Sequence, residues 1–341
     1  MKRIYAGIAF VLAMVALALS GAAARAQEYP KTLTIGATAP GSPKFIWHQY
    51  LGWLEKELKP HGVKIVWAPF VDGGGALVSA LGSSGIDIAY NVGSSPGLRI
   101  GAIDPNINLI AVDNFEPFGV SSVVVAANSP LKSVADLKDK KIAFLKGTVR
   151  HTTLAKILAS ANLTLDDVEG LHMPFETSGP ALVRGDVDAL IEGNTTVAPL
   201  LERGAARLLV DGDKHPEWAS PTLILARTDY IARYPELIKT ILKVDLRIAQ
   251  WADANKKEAL TSYSKLTGVK LESLRHRYVD PVLYQDPAVT DAAIDTLKGE
   301  EVFLRQAKLI KGTVDYDRWL DDTILRAVYE EAGRPYGRIS Q

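Results

Sequence analysis

The stretch KIAFLKGTVRHTTLAKILASA, residues 141–161, joins an apolar run to an amphipathic one through a short polar turn. Ile142 to Leu145 reads as a buried strand, while Leu154, Ile157, Leu158 and Ala161 share one face of a helix over 150–161. Gly147, Thr148, Arg150 and His151 crowd into the turn between them. A glycine, a hydroxyl, a guanidinium and an imidazole placed there suit an anion-binding loop, a catalytic cluster or an ordinary helix cap. A strand that turns directly into a helix is also the repeating unit of α/β folds.

The same alternation extends in both directions. TLTIGAT (32–38), VKIVWAPF (63–70) and IDIAYNV (86–92) read as strands. Ser42 and Pro43 give an N-cap and a first helical position, and Ile46, Tyr50, Trp53, Leu54 and Leu58 form the stripe of the helix that follows. The pattern begins again at Ser121, with strands in SSVVVAANSP, KIAFLKG, VEGLHMPF, VDALIEG and ARLLVDG and short helices between them. Ile86-Asp87-Ile88-Ala89 and Val187-Asp188-Ala189-Leu190 each follow a short helix and a glycine turn and each open a strand, a faint internal repeat. Two similar α/β lobes with mainly parallel sheets, covered on both faces, are therefore expected. After TLILARTDY (222–230), which reads as a strand, the chain turns helical over 235–265, 289–308 and 316–332. Trp251 and Trp319 fall on apolar faces there and are expected in the core. These helices should pack on the first lobe, because the strand before them must return to a sheet.

Lys2 and Arg3, the uncharged apolar run Ile4 to Leu19 and the exit Ala24-Arg25-Ala26 have the form of a secretory signal peptide, residues 1–26. The run is shorter than the roughly 20 apolar residues of a spanning helix. Cleavage would leave about 315 residues, enough for two ordinary domains. The chain has no cysteine, so neither a disulfide nor a lipid-bearing cysteine is expected, and stability must come from burial. There are 39 basic and 39 acidic residues; losing Lys2, Arg3 and Arg25 leaves 36 against 39, a net charge of −3. That balance gives no electrostatic footprint for nucleic acid.

SPLKSVADLKDKKIAFLKGTVRHTTLAKILASANLTLDDVEGLHMP (129–174), followed by ALVRGDVDALIEG (181–193), resembles the periplasmic solute-binding proteins of ABC importers. Within them the resemblance is to the aliphatic-sulfonate, taurine and nitrate-type group, in which a SVADLKGKKIA segment leads to a KGS turn with a nearby histidine and then to GDVDA. LEKELKPHGVKIVWAPFVDGGGALVSALGSSGIDIAYNVGSSP (54–96) is similar to the first lobe of the same proteins. The order and spacing of these phrases hold from the start of the mature chain to about Asp211. The resemblance implies a bilobal fold with two chain crossings, here near Pro117 to Ser121 and Trp218 to Leu223. Lobe 1 would then comprise 30–118 and 221–338, and lobe 2 would comprise 119–220. It further implies a monomeric, periplasmic receptor that holds a small anionic solute between its lobes and docks on an inner-membrane ABC permease, with no cofactor.

In open α/β sheets ligands bind beyond the carboxyl ends of strands, where helix N-termini offer unpaired N–H groups and partial positive charge. Five turns meet that condition: APGSPKF (39–45), DGGGAL (72–77), NVGSSPGL (91–98), LKGTVRHTT (145–153) and IEGNTTV (191–197). In the third, Pro96 marks the first helical position, so Ser94 or Ser95 is the expected cap, with Asn91 at the strand end. Capping alone would also explain each serine. Ser42 is a cap and Lys44 a possible source of charge, although a lysine is more often solvated. Gly74 sits among three glycines where backbone can approach closely. Thr148 is both cap and donor, Arg150 could fork two hydrogen bonds onto a sulfonate or carboxylate, and His151 matches the family histidine. Glu192 and Asn194 complete the set. Glu192 would repel an anion and welcome an amine, and EGN departs from the aromatic and acid that the family often has there.

Two other functions compete. His151 and Glu192 could be a general base and its orienter, and thiamine-precursor binding proteins and synthases share the implied fold. Yet there is no cysteine nucleophile, no G-x-S-x-G, no H-E-x-x-H and no G-x-x-x-x-G-K-[ST], and the six histidines show no metal spacing. A receptor reporting a solute to a membrane kinase would need the same cleft as an import receptor. The expectation is a non-enzymatic receptor for a small organic anion.

Overall fold

The computed structural model describes residues 29–38, 41–115, 120–277 and 285–337. The expected signal peptide lies outside them, as do residues 117–119 of the first expected crossing. Ten strands are present among the described residues: β1 (Thr32–Thr38), β2 (Lys64–Phe70), β3 (Ile88–Gly93), β4 (Ile107–Asn114), β5 (Ser122–Ala126), β6 (Lys141–Phe144), β7 (Glu169–His172), β8 (Ala189–Glu192), β9 (Ala206–Val210) and β10 (Thr222–Arg227). They form two five-stranded sheets, β2-β1-β3-β10-β4 and β7-β6-β8-β5-β9.

The α/β, two-lobed expectation holds, but the sheets are mixed rather than mainly parallel. β10 runs antiparallel to β3 and β4, and β5 runs antiparallel to β8 and β9. The reason is topological. Each is the strand by which the chain enters a sheet from the other one. It arrives at the end toward which the parallel strands run, so it must run away from that end: Thr222 pairs with Gly93, and Ser122 with Glu192. β4 is absent from the strands expected above. Ile107 to Asp113 are all buried, so this strand has no alternation to betray it.

The internal repeat is physical. Asp87 Oδ2 accepts from the Thr34 amide at the start of β1, and Asp188 Oδ2 accepts from the Lys141 amide at the start of β6, both at 2.8 Å. In each lobe the aspartate amide also returns a bond, to Thr34 O and Lys141 O. One device thus ties neighbouring strands in both lobes.

The C-terminal helices do pack on the first sheet. The Pro235–Ala254 helix buries Leu237, Ile241 and Leu242 against Leu33, Ile35, Trp47 and Leu54 on one face. The Asp291–Gln306 helix buries Ala293, Leu297 and Leu304 with Leu77, Leu98 and Trp319 on the other. The expected long helix 235–265 is broken at Asn255, giving Pro235–Ala254 and Lys256–Thr267. The last one breaks after Trp319 because Leu320 becomes extended and bridges Leu109. Lobe 2 has its own core, built on Val123, Ile142, Leu154, Ile157 and Ile191. No helix among the described residues is long and apolar enough to cross a membrane.

Candidate functional site

Four helices start at the strand ends where the two sheets face each other: Gly74–Gly82 after β2, Ser94–Ile103 after β3, Val149–Ala159 after β6 and Asn194–Glu202 after β8. Their N-cap residues, Gly73, Gly93, Thr148 and Gly193, make no capping hydrogen bond through a side chain. Uncapped first turns leave N–H donors without a side-chain partner at the positive end of each helix dipole. The Pro43–Leu51 helix is different, because Ser42 Oγ accepts from the Phe45 amide at 3.3 Å.

The starts from the two lobes come into contact. A Cβ on Gly93 would sit 2.5 Å from Val149 Cγ2, and one on Gly73 would sit 3.2 Å from Thr148 Cγ2. Gly147, with φ +79°, approaches Arg99, whose Nη1 lies 3.2 Å from where a Cβ would be. Arg99 carries positive charge from lobe 1 to the lobe 2 turn, and nothing in its place along the chain singles it out.

His151 and Arg150 stand at that turn. His151 Nδ1 accepts from the Gly147 amide at 3.2 Å, and the ring packs on Phe144. That bond assigns the ring proton to Nε2, which leaves a neutral donor. Burial, then the Arg99 and Lys146 charges, hold the His151 pKa down to about 4. Arg150 Nε donates to Glu192 Oε2 at 2.7 Å, with Glu192 buried and the arginine side chain 32% exposed. The pair neutralises Glu192 while the rest of the guanidinium fork stays accessible. Glu192 therefore faces Arg150, and the His151–Glu192 dyad considered above is not assembled.

The other expected site residues have different occupations. Thr148 holds the N-cap position but its hydroxyl donates to Leu145 O at 2.8 Å rather than accepting from the helix. Lys44 is fully buried and donates to Val112 O, so its charge is spent inside lobe 1. Beside it burial raises the Asp113 carboxyl to about 6, against the opposing pull of Lys44 and Ser42. The close approach at Gly74 is to Pro96, whose Cγ would lie 2.7 Å from an added Cβ. Asn91, at φ +52°, donates to Thr38 Oγ1 and locks β3 to β1. Asn194 accepts from Ser122 and donates to Asp211 and Asp213, bracing the strand ends beside the crossing. Ser94 and Ser95 are not caps: the helix begins at Ser94, and both hydroxyls donate to Glu300 at 2.7 and 3.0 Å. The signal for Glu300 is its place on the stripe Ala293, Leu297, Glu300, Leu304, a carboxylate on an otherwise apolar face. Among the described residues no group of three or more metal-ligating side chains could hold an ion.

Two mixed sheets, each entered by one antiparallel strand and meeting at uncapped helix starts, define the two-lobed α/β fold of the periplasmic binding proteins. Residues 102–259 match the family model described as NMT1/THI5 like. A relative in Escherichia coli strain K12, provisionally named an aliphatic sulfonates-binding protein, is 27% identical over 74% of this chain and 77% of its own. These bear out the likeness to the sulfonate-type solute-binding proteins. The structure of the alkanesulfonate-binding protein SsuA from Xanthomonas axonopodis pv. citri, bound to MOPS, superposes with a TM-score of 0.75 at 20% identity, covering 86% of this chain and all of that one. The desulfurization enzyme DSZB superposes at 0.71 with 16% identity, over 88% of this chain and 99% of that one. At such identities the likeness is one of fold, and that fold serves both binding proteins and an enzyme.

Proposed function

We propose that this protein is an extracytoplasmic receptor that captures a small organic anion, sulfonate-like in charge and shape, between its lobes and delivers it to an ABC permease. The observation that carries this is the meeting of uncapped helix starts from both lobes around Arg150 and the neutral His151. Oriented N–H groups, one guanidinium fork and a neutral N–H donor suit a permanently ionised oxyanion, which brings no proton to share. The relatives named for sulfonate binding support the same role. The pairing of Glu192 with Arg150 favours it over an enzyme using His151 and Glu192.

On this reading residues 1–26 are removed on export to the periplasm and the mature chain acts as a monomer. Residues 30–118 with 221–338, and 119–220, are the two bodies that close on the solute. Ligand contacts come from the Gly74, Ser94, Val149 and Asn194 helix starts through backbone N–H groups, with side chains from Arg150 and His151. A thermal-shift screen of the mature protein against alkanesulfonates, sulfate esters, nitrate, carboxylates and alkylamines tests it. Sulfonates should raise the melting temperature most, and stabilisation by alkylamines alone would refute it.

A further inference from the structure

Glu300 joins three separate parts of the chain. It sits on the Asp291–Gln306 helix, packed on lobe 1, and is 3% exposed. Its Oε1 accepts from Ser94 and Ser95 of the Ser94–Ile103 helix at 2.7 and 3.0 Å. Its Oε2 accepts from Ser220, just before β10, and lies 3.5 Å from Lys156 Nζ on the Val149–Ala159 helix of lobe 2. Beside this, Ser95 Oγ and Thr152 Oγ1 share a hydrogen bond between the lobes at 2.5 Å.

The lobe 2 side of this contact is one helical stripe. Val149 meets Gly93, Thr152 meets Ser95 and Lys156 meets Glu300, spaced at i, i+3 and i+7. Among the described residues Lys156 is the one cation paired with Glu300, and its side chain is only 15% exposed. Separating the lobes would strip the Lys156 ammonium from Glu300 and the Thr152 hydroxyl from Ser95. Glu300 would then keep its charge with neutral hydroxyls as its remaining partners. A charge left in a poorly solvated place without its counterion is far costlier than an exposed pair that simply hydrates.

We infer that Glu300 and Lys156 form an interlobe latch that sets how readily the lobes close, with Glu300 a positioning residue for solute binding. The role in solute binding rests on the receptor function proposed above, whereas the latch itself does not. By occupying the Ser94 and Ser95 hydroxyls, Glu300 also restricts this helix start to its backbone N–H groups.

The test measures closure without any solute. The chain has no cysteine, so Val71→Cys in lobe 1 and Val183→Cys in lobe 2, both exposed, place spin labels uniquely. Pulsed electron–electron distance distributions are recorded for this labelled protein and for Lys156→Met, Lys156→Arg, Glu300→Gln and Lys156→Met/Glu300→Gln in the same background. The latch predicts that Lys156→Met and Glu300→Gln each shift the ratio of long to short distances by roughly threefold or more. Lys156→Arg should retain the parent distribution, and the double variant should open no further than either single one. Distributions unchanged in Lys156→Met and Glu300→Gln overturn the latch, including where the melting temperature falls, since that pattern marks a merely structural pair. Because no ligand is added, this result stands apart from any failure of the sulfonate screen.

Discussion

Gly93 in lobe 1 and Val149 in lobe 2 meet so closely that a Cβ on the glycine would lie 2.5 Å from Val149 Cγ2. The backbone of Gly93, at φ −59° and ψ 149°, would accept alanine without strain, so the obstacle is the other lobe. Gly93→Ala should therefore impede closure and weaken solute binding by an amount typical of overpacking, about 1–3 kcal/mol. Val149→Ala in the same chain should restore affinity. Titration calorimetry on the two variants checks this, and failure of the second substitution to rescue would place the clash elsewhere.

His151 should titrate far below an ordinary histidine. Its pKa lies near 4 because the ring is buried and faces Arg99 and Lys146. Between about 4 and 6.5 the unfolded chain takes up a proton that the folded one refuses, so the His151 contribution to stability is full above 6.5 and falls as pH drops toward 4. The imidazole Cε1–H resonance, followed by NMR from pH 3 to 8, should show a midpoint near 4. A midpoint near 6.5 would mean that the ring is solvated and carries charge into the cleft.

Asp113 has the opposite sign. Burial raises it from 3.8 to about 6, so the folded state binds the extra proton in that interval and loses stability as pH rises through it. Asp113→Asn should flatten this part of the profile, whatever it does to stability at neutral pH by leaving Lys44 without its carboxylate. Urea midpoints of both proteins at several pH values between 3.5 and 7 measure the difference. Parallel profiles would show that Asp113 does not titrate there.

The buried core of lobe 1 holds a second polar set. His48 Nε2 lies 2.7 Å from Asp245 Oδ1, and the Tyr90 hydroxyl donates to Asp245 Oδ2 at 2.8 Å, with all three residues fully buried. Asp245→Ala strips two buried groups of their partner and should cost roughly 3–5 kcal/mol. Lys243→Ala, which removes one half of an exposed pair with Glu331, should cost well under about 1 kcal/mol. Chemical denaturation of the two variants gives the comparison, and similar costs would argue that the buried triad is solvated.

Much of this architecture was legible because its causes are local. β1 appears at the bounds its alternation marks, Thr32 to Thr38, and Ser42 caps its helix as its place before Pro43 implies. Asp87 and Asp188, a faint repeat in the letters, perform the same strand-closing task in each lobe. What stayed hidden depends on partners far away in the chain. Ser94 and Ser95 look like caps or ligand contacts until Glu300, some 200 positions later, claims both hydroxyls. Lys44 looks like a surface charge until Val112 and Asp113 surround it. The orientation of β5 and β10 follows from which end of the sheet the chain enters, which no strand pattern records.

The central claim is that an ionised oxyanion is held between the lobes by helix N–H groups and the Arg150 fork. Titration calorimetry of the mature protein with short alkanesulfonates, beside alkylamines of matched length, tests it most directly when repeated on Arg150→Ala. The account predicts saturable binding of the sulfonates, none of the amines, and a loss of about tenfold or more in the variant, the size of one charged hydrogen bond. Sulfonate affinity unchanged in Arg150→Ala, or binding of the amines in place of the sulfonates, would contradict it.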